Sequence, residues 1–255
     1  MTRNVPGRPR ARIPGAVDSG VLQAIFDPNS IPGLILWASA DVGTYTDAGI
    51  TPAANDDPVE QWNDRSPNIN NFSQGILFSK PLLKTGILNG QPVLRFDGVG
   101  VGDFFDIAGF SGGSISTPNT VFIVMDFIAG TFIFDNVAGG AGRTIFGYAV
   151  CVGGQFSITA DGCANSVSYP VTPPTGFKLF ETVFDGGSSE IRENGLVVAS
   201  GNAGTNTWDS IRLGRGSQAS PSSQVDIAEI LVYNAALNNS ERQSIETLLI
   251  SKYAL

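Results

Sequence analysis

Short runs of β-branched and aromatic residues, separated by clusters of glycine, proline, asparagine and aspartate, follow one another through most of this chain. Runs of this kind predict strands, and the clusters between them predict turns. Strands that follow one another without intervening helices pack as two sheets, because parallel βαβ units would need a helix after each strand. The sequence therefore predicts an all-β sandwich. The predicted strands are residues 31–37, 92–96, 120–127, 144–150, 155–159, 177–184, 189–193, 196–200 and 210–214.

Two local signals add detail to this sandwich. Asn194-Gly195 lies between two predicted strands and is typical of a type I′ hairpin, which needs positive φ at both central residues. Near the end of the chain, Ser240 and Gln243 stand at capping-box spacing and predict a short C-terminal helix. We expect it to pack against an edge or end of the sandwich. Its apolar stripe is Ile245, Leu248, Leu249, Lys252 and Tyr253.

The first twelve residues differ in charge from the rest of the chain. They contain Arg3, Arg8, Arg10 and Arg12 and no acid, whereas the whole chain carries a net charge of −8. Frequent proline and glycine predict an extended arm over residues 1–20, which we interpret as an assembly arm. An acidic body, and an arm without aromatic residues, argue against nucleic-acid binding. The predicted domains are an arm and connector over residues 1–30 and one domain over residues 31–255.

Targeting and cysteine signals are few. No apolar run is long enough to span a bilayer, and the first residues lack the apolar stretch of a secretory signal, so we expect no membrane insertion. Cys151 and Cys163 flank the Gly153-Gly154 turn. We expect two unpaired thiols; a disulfide is the alternative if the following loop folds back. The chain has no histidine, which removes imidazole-based catalytic devices and most zinc sites.

Several blocks, in the same order along the chain, resemble the laminin-G-like, concanavalin A-like jelly-roll domains found in phage and bacterial surface proteins. The resemblance covers about residues 31–255 and implies a two-sheet jelly roll. Its members include lectins, adhesion modules, virion surface proteins and a minority of glycoside hydrolases. The blocks are residues 36–41 (LWASAD), 62–68 (WNDRSPN), 89–98 (NGQPVLRFDG), 193–195 (ENG), 226–234 (DIAEILVYN), 241–242 (ER) and 252–253 (KY).

The hydrolases of this superfamily carry a Glu-x-Asp-x-x-Glu strand, which this chain lacks. The pairs Glu190 with Glu193 and Asp226 with Glu229 are three residues apart, so on a regular strand their members face opposite sides. We therefore expect a protein that is not an enzyme.

Sugar binding requires an aromatic face beside planar amide or carboxylate groups. Trp62 with Asn63 and Asp64, and Trp208 with Asp209, offer these groups in loop-like contexts. The alternative for Trp62 is a place in the core, which we also expect for Trp37. Arg95 is expected to be an ion-paired or solvent-facing strand residue.

Calcium is the metal that the acidic residues of the first half could hold, because it takes oxygen ligands. The candidate ligands are Asp56, Asp57 and Asp97. The alternative is that these aspartates only stabilise turns.

We expect from these observations a virion surface protein of the decoration or fibre type, made in the host cytoplasm. Its N-terminal arm (residues 1–20) would bind other virion subunits, and its jelly roll would contact host glycans. A homo-oligomer is compatible with this role. The alternative is a carbohydrate-binding or adhesion module that is extracellular or on a cell surface.

Overall fold

The computed structural model describes residues 26–99, 102–139, 143–217 and 221–255. In these ranges two antiparallel sheets pack face to face as a jelly-roll sandwich, and one α-helix follows. This confirms the predicted fold class. The strands are β1 (Leu34–Ser39), β2 (Thr44–Tyr45), β3 (Gln61–Trp62), β4 (Phe72–Ser73), β5 (Leu82–Leu88), β6 (Gln91–Asp97), β7 (Phe105–Ile107), β8 (Asn119–Ala129), β9 (Phe132–Asp135), β10 (Ile145–Tyr148), β11 (Gln155–Thr159), β12 (Val167–Pro170), β13 (Lys178–Phe184), β14 (Ser189–Glu193), β15 (Leu196–Gly201), β16 (Ile211–Leu213) and β17 (Gln224–Tyr233).

Among the described residues, sheet A has the order β15-β14-β13-β8-β17-β6-β5, with β1 paired to β17, and sheet B has the order β12-β11-β10-β9-β16-β7-β4-β3-β2. The central strand β8 is apolar almost throughout because both of its faces are buried. Ile123 and Phe127 face sheet B in the main core, whereas Phe122 and Val124 belong to a second core on the outer face of sheet A. A strand buried on both faces loses the alternation of apolar and polar residues.

The second core exists because helix α1 (Asn239–Tyr253) covers the outer face of sheet A. Ile245, Leu249 and Tyr253 are the apolar residues that it buries there. The helix therefore lies on a sheet face, not at an edge or end as predicted. Its cap also differs from the prediction, because the capping box joins Asn238 and Glu241.

Both hairpins of sheet A that contain Asn-Gly have the backbone that this dipeptide favours. Asn194 and Gly195 have φ values of 48° and 82°, which confirms the predicted β14–β15 turn. Asn89 and Gly90 join β5 and β6 with φ values of 49° and 77°. Positive φ at both central residues is the requirement of a type I′ turn.

Cys151 and Cys163 form a disulfide, with their Cα atoms 5.4 Å apart. The expectation of two unpaired thiols was therefore wrong. The chain folds back after β11 because Thr159 Oγ1 accepts hydrogen bonds from the backbone N–H groups of Asp161 (3.3 Å) and Cys163 (3.0 Å). This turn brings Cys163 to the loop that begins after β10.

The predicted arm, with Arg3, Arg8, Arg10 and Arg12, lies outside the described residues. Residues 26–30 contact the body: Phe26 packs on the second core, and the Tyr233 hydroxyl donates to the Pro28 carbonyl oxygen at 3.1 Å. The domain boundary at residue 31 stays a prediction. No helix in the described part of the chain is long and apolar enough to cross a membrane.

Candidate functional site

The structure places both tryptophans predicted for sugar contact in the core between the sheets. Trp62 is 0% exposed and stacks on Phe72, with ring centroids 5.6 Å apart. Trp208 is 1% exposed and stacks on Phe134 at 5.7 Å. A ring enclosed by core side chains offers no face to a sugar. The predicted sugar-stacking role of these two residues is corrected to a packing role.

Their polar neighbours have different environments. Asp64 accepts four hydrogen bonds, from the backbone N–H groups of Trp37, Ser66 and Asn70 (2.8 Å each) and from the Ser66 hydroxyl (2.6 Å). Asn63 accepts one from the Gln61 amide at 2.6 Å. Asp209 is exposed and accepts one from the Ser210 hydroxyl at 2.9 Å. Asp64 thus ties the loop after β3 to β1.

The three aspartates predicted to bind calcium are not brought together as a group. Within the described ranges, no three acidic or cysteine side chains are placed to hold a metal ion. Asp56 pairs with Lys84, Asp57 accepts a hydrogen bond from the Ala54 N–H at 2.8 Å, and Asp97 accepts one from the Val99 N–H at 2.9 Å. These contacts fit the turn-stabilising alternative.

A β-bulge changes the geometry expected for Asp226 and Glu229. The register of β17 shifts between Ile227 and Glu229, which turns Glu229 to the outer face of sheet A with Asp226. The two carboxylates still have separate partners. Asp226 forms a bidentate ion pair with Arg95 (2.8 and 2.6 Å), whereas Glu229 accepts hydrogen bonds from Trp37 Nε1 (2.6 Å) and the Tyr253 hydroxyl (2.7 Å). The predicted ion pairing of Arg95 is confirmed.

A cavity of about 290 Å³ opens where β5 and β6 meet the loop that precedes β5. In the β5–β6 pair, Leu83 and Leu94 face the core, so Leu82, Lys84 and Arg95 face outward into the cavity. The lining residues are Pro58, Leu77, Phe78, Lys80, Leu82, Lys84, Arg95, Asp97 and Asp103.

The loop at the rim of this cavity presents three consecutive apolar side chains to solvent. Ile76 is 59% exposed, Leu77 58% and Phe78 86%. The base of the loop is held by the buried Gln74, whose amide donates to the Phe104 carbonyl oxygen at 3.1 Å and accepts from the Ile76 N–H at 2.8 Å. The apolar side chains therefore extend from a fixed base. These three residues were not predicted as part of a site, although an apolar run too short for a strand was the available signal.

The charged groups in the cavity are mostly paired. Lys80 contacts Glu60 at 2.7 Å, Lys84 contacts Asp56, and Arg95 contacts Asp226. Paired charges stay in place and still present polar atoms to a ligand, because a guanidinium has five donors and a carboxylate has several acceptor positions.

Asp97 and Asp103 form the acidic wall of the cavity. The backbone N–H of Asp97 donates to Asp103 Oδ2 at 3.0 Å. Burial raises the pKa of Asp103 to about 7; the charge of Asp97 adds to the rise, and the Asp97 N–H opposes it. Near neutral pH Asp103 is thus present in both its protonated and its ionised form, whereas an ordinary aspartate is ionised.

No protein-family model matches this chain, and no curated protein sequence does. Solved structures do share its fold. An arabinofuranosidase complexed with arabinofuranosyl-alpha-1,2-xylobiose matches with a TM-score of 0.59 at 14% identity, over 87% of this chain and 59% of that one. A structure described as showing that cell entry of botulinum neurotoxin type C depends on two ganglioside molecules matches with a TM-score of 0.57 at 11% identity, over 87% and 52%.

Trypanosoma rangeli sialidase in complex with sialic acid aligns with a TM-score of 0.48 at 15% identity, over 87% of this chain and 33% of that one. The chain thus spans between about a third and three fifths of these structures. At such identities the likeness concerns the β-sandwich fold alone. The prediction that this chain is not an enzyme is therefore corrected, because a protein named as an arabinofuranosidase shares the sandwich, and the absence of one strand motif does not exclude catalysis.

Proposed function

We propose that this chain is a carbohydrate-binding β-sandwich whose sugar site is the cavity between β5, β6 and the loop at residues 76–80. The observation that carries the proposal is the Phe78 ring, 86% exposed at the rim of a cavity lined by Arg95, Asp97 and Lys84. An aromatic ring packs against the C–H face of a pyranose, and planar charged groups hydrogen-bond to its hydroxyls. The fold shared with an arabinofuranosidase is consistent with this assignment.

The proposal is tested with Phe78→Ala in the full chain. Arabinoxylan oligosaccharides and sialylated oligosaccharides are the probes, and calorimetry measures the dissociation constant. We expect the variant to bind about five- to thirtyfold more weakly, because it loses about 1–2 kcal/mol of ring contact. Circular dichroism should be unchanged, since the ring makes little contact with the body.

Leu196→Ala is the matched control, because Leu196 is 72% exposed on the separate β14–β15 hairpin. Its affinity should equal that of the wild type. The proposal fails if no oligosaccharide in the panel binds, or if both variants weaken binding to the same extent.

One observation favours a second function, hydrolysis of a glycosidic bond at the same cavity. Asp103, with a pKa raised to about 7, can donate a proton to the leaving oxygen, while Asp97 supplies a negative charge close to the sugar cation that forms. Water then adds to the sugar cation, and the proton that it releases returns to the Asp103 carboxylate. Release of reducing sugar from the same oligosaccharides, lost in Asp103→Asn, would support this function; equal release by the variant would exclude Asp103 as the acid.

The virion-surface role stays a proposal that depends on the arm. Deletion of residues 1–20 should prevent incorporation into particles from the source and leave oligosaccharide binding unchanged. Extracellular or surface exposure is also a proposal, and the Cys151–Cys163 disulfide supports it, because disulfides persist mainly in oxidising environments.

A further inference from the structure

A second cavity, apart from the proposed sugar site, contains an arginine whose guanidinium lies over a tryptophan ring. The guanidinium carbon of Arg65 lies 3.7 Å from the ring centroid of Trp37. The ring itself is fixed, because Trp37 Nε1 donates to Glu229 at 2.6 Å and the Trp37 backbone N–H donates to Asp64 at 2.8 Å. The Arg65 backbone N–H donates to the Trp37 carbonyl oxygen at 2.6 Å. Both ends of the arginine are thereby positioned.

The cavity has a volume of about 310 Å³ and is lined by Phe26, Asp27, Asn29, Trp37 and Arg65. Among the described residues, the Arg65 guanidinium has neither an ion-pair partner within 4.0 Å nor a hydrogen-bond acceptor. Guanidinium N–H groups ordinarily pair with carboxylate, sulfate or phosphate oxygens in a planar, bidentate manner. Arg65 is thus oriented for such a partner.

Nearby acids are engaged with other donors. Asp27 accepts hydrogen bonds from the Asn29 backbone N–H (2.9 Å) and side-chain amide (3.1 Å), and Asp64 accepts the four bonds described above. Asp41 contacts Ser39 and Lys252. Burial acts to raise the pKa of Asp41, but the Ser39 hydrogen bond and the charges of Lys252 and Arg65 outweigh it, so its pKa is lowered. These acids have other partners, and Arg65 keeps its donors for a ligand.

We propose that Arg65 on Trp37 forms a binding site for an oxyanion, the carboxylate or sulfate group of an acidic ligand. Its planar guanidinium can donate hydrogen bonds to two oxygens of one group. Phe26 offers an apolar wall, while Asn29 and Asp27 offer polar atoms to the rest of the ligand. A sugar carboxylate and a free inorganic anion share this chemistry.

The test follows the Arg65 Nε–H signal by NMR in the full-length protein, assigned by its absence in Arg65→Gln. Glucuronate, glucose and sulfate are titrated separately at constant ionic strength. We expect glucuronate to shift the signal with saturation, and neutral glucose to leave it unchanged. Sulfate binding as tightly as glucuronate would identify a general oxyanion site, and tighter glucuronate binding would identify a sugar-acid site. Both results support the proposal.

Calorimetry with the variants supplies a second readout. Arg65→Gln should weaken glucuronate binding about tenfold or more, because a charge-assisted bidentate contact is lost. Lys178→Gln removes the same charge from β13 and should bind as the wild type does. The proposal is overturned if neither anion shifts the signal at 50 mM or if Arg65→Gln binds unchanged. A negative result at Phe78 does not bear on this site, which uses other residues.

Discussion

At the scale of single residues, a side chain that the sequence suggested for sugar binding instead holds the structure together. Asp64 accepts four hydrogen bonds that connect β1 with residues 66 and 70. Asp64→Ala leaves three backbone N–H groups without this acceptor, and each uncompensated group costs about 1–3 kcal/mol. We expect the free energy of unfolding to fall by about 3 kcal/mol or more in urea denaturation.

Asp209→Ala is the comparison for this prediction, because the Asp209 side chain is exposed and has one hydrogen bond. Its unfolding free energy should stay within about 0.5 kcal/mol of the wild type. Equal losses in the two variants would contradict the role assigned to Asp64.

Residue types alone did not identify the candidate site. Trp62 and Trp208 stand beside polar residues in the sequence, but the alternation of side chains in β3 turns Trp62 inward, and Trp208 packs on Phe134. Phe78 has no amide or carboxylate side chain next to it in the sequence and is nevertheless 86% exposed. Exposure depends on which face of the fold a loop occupies, which requires the tertiary arrangement.

At the scale of elements, helix α1 docks on sheet A through charged as well as apolar groups. Glu181 of β13 is 1% exposed, and Arg192 Nε lies 3.0 Å from its Oε2 without the alignment of a hydrogen bond. Arg242 of the helix lies 3.5 Å from Glu181, and Glu246 of the helix contacts Arg192. Glu190 of β14 contacts both arginines. Burial raises the pKa of Glu181 to about 8, and the Glu246 carboxyl adds to the rise, against the attraction of both arginines.

This pKa predicts how stability changes with pH. The folded protein retains a proton on Glu181 that the unfolded chain releases near its ordinary value of 4.5. The resulting stabilisation is complete below pH 4.5 and is lost as the pH rises through about 8. Over this range the free energy of unfolding falls by at most about 1.4 kcal/mol per pH unit. Glu181→Gln imitates the protonated form. Its unfolding free energy should fall less between pH 5 and pH 8 than that of the wild type.

Urea denaturation at pH 5, 7 and 8 measures these slopes, and Glu190→Gln provides the control, because Glu190 is the more exposed carboxylate of the cluster. Identical slopes for wild type and Glu181→Gln would show that this carboxyl does not cause the pH dependence of stability.

Elements with strong local signals were predicted correctly, and those set by tertiary contacts were not. The Asn194-Gly195 turn follows from backbone preference alone. The prediction placed the N-cap of the helix at Ser240, two residues after the true N-cap, Asn238. Both residue types are good N-caps, but Asn238 has Glu241 at the position that completes the capping box. The β-bulge at Glu229 could not be predicted, since nothing in residues 226–230 signals an extra residue in the strand.

At the scale of the whole molecule, two cores share sheet A. The main core fills the space between the sheets, and the second lies between sheet A and helix α1. The sequence predicted a sandwich because apolar runs mark the strands. The second core was not foreseen, and it explains why β8 is apolar on both faces and why β17 has Ala228, Leu231 and Tyr233 on its outer face.

The second core also predicts where the stable unit begins. Phe26 packs on it, Pro28 is buried, and the Pro28 carbonyl oxygen accepts the hydrogen bond of the fully buried Tyr233. A chain that begins at residue 31 leaves that hydroxyl without its partner and exposes part of the core. We expect its free energy of unfolding to be about 2–3 kcal/mol lower than that of a chain that begins at residue 26.

Urea denaturation of both truncated chains and the full-length protein gives this difference directly. The chain that begins at residue 26 should match the full-length protein if residues 1–25 add nothing to the stability of the body. Equal stability of the two truncated chains would support the predicted boundary at residue 31. A lower stability for the shorter one would make residues 26–30 part of the sandwich, because their contacts lie on the same sheet face that the helix covers.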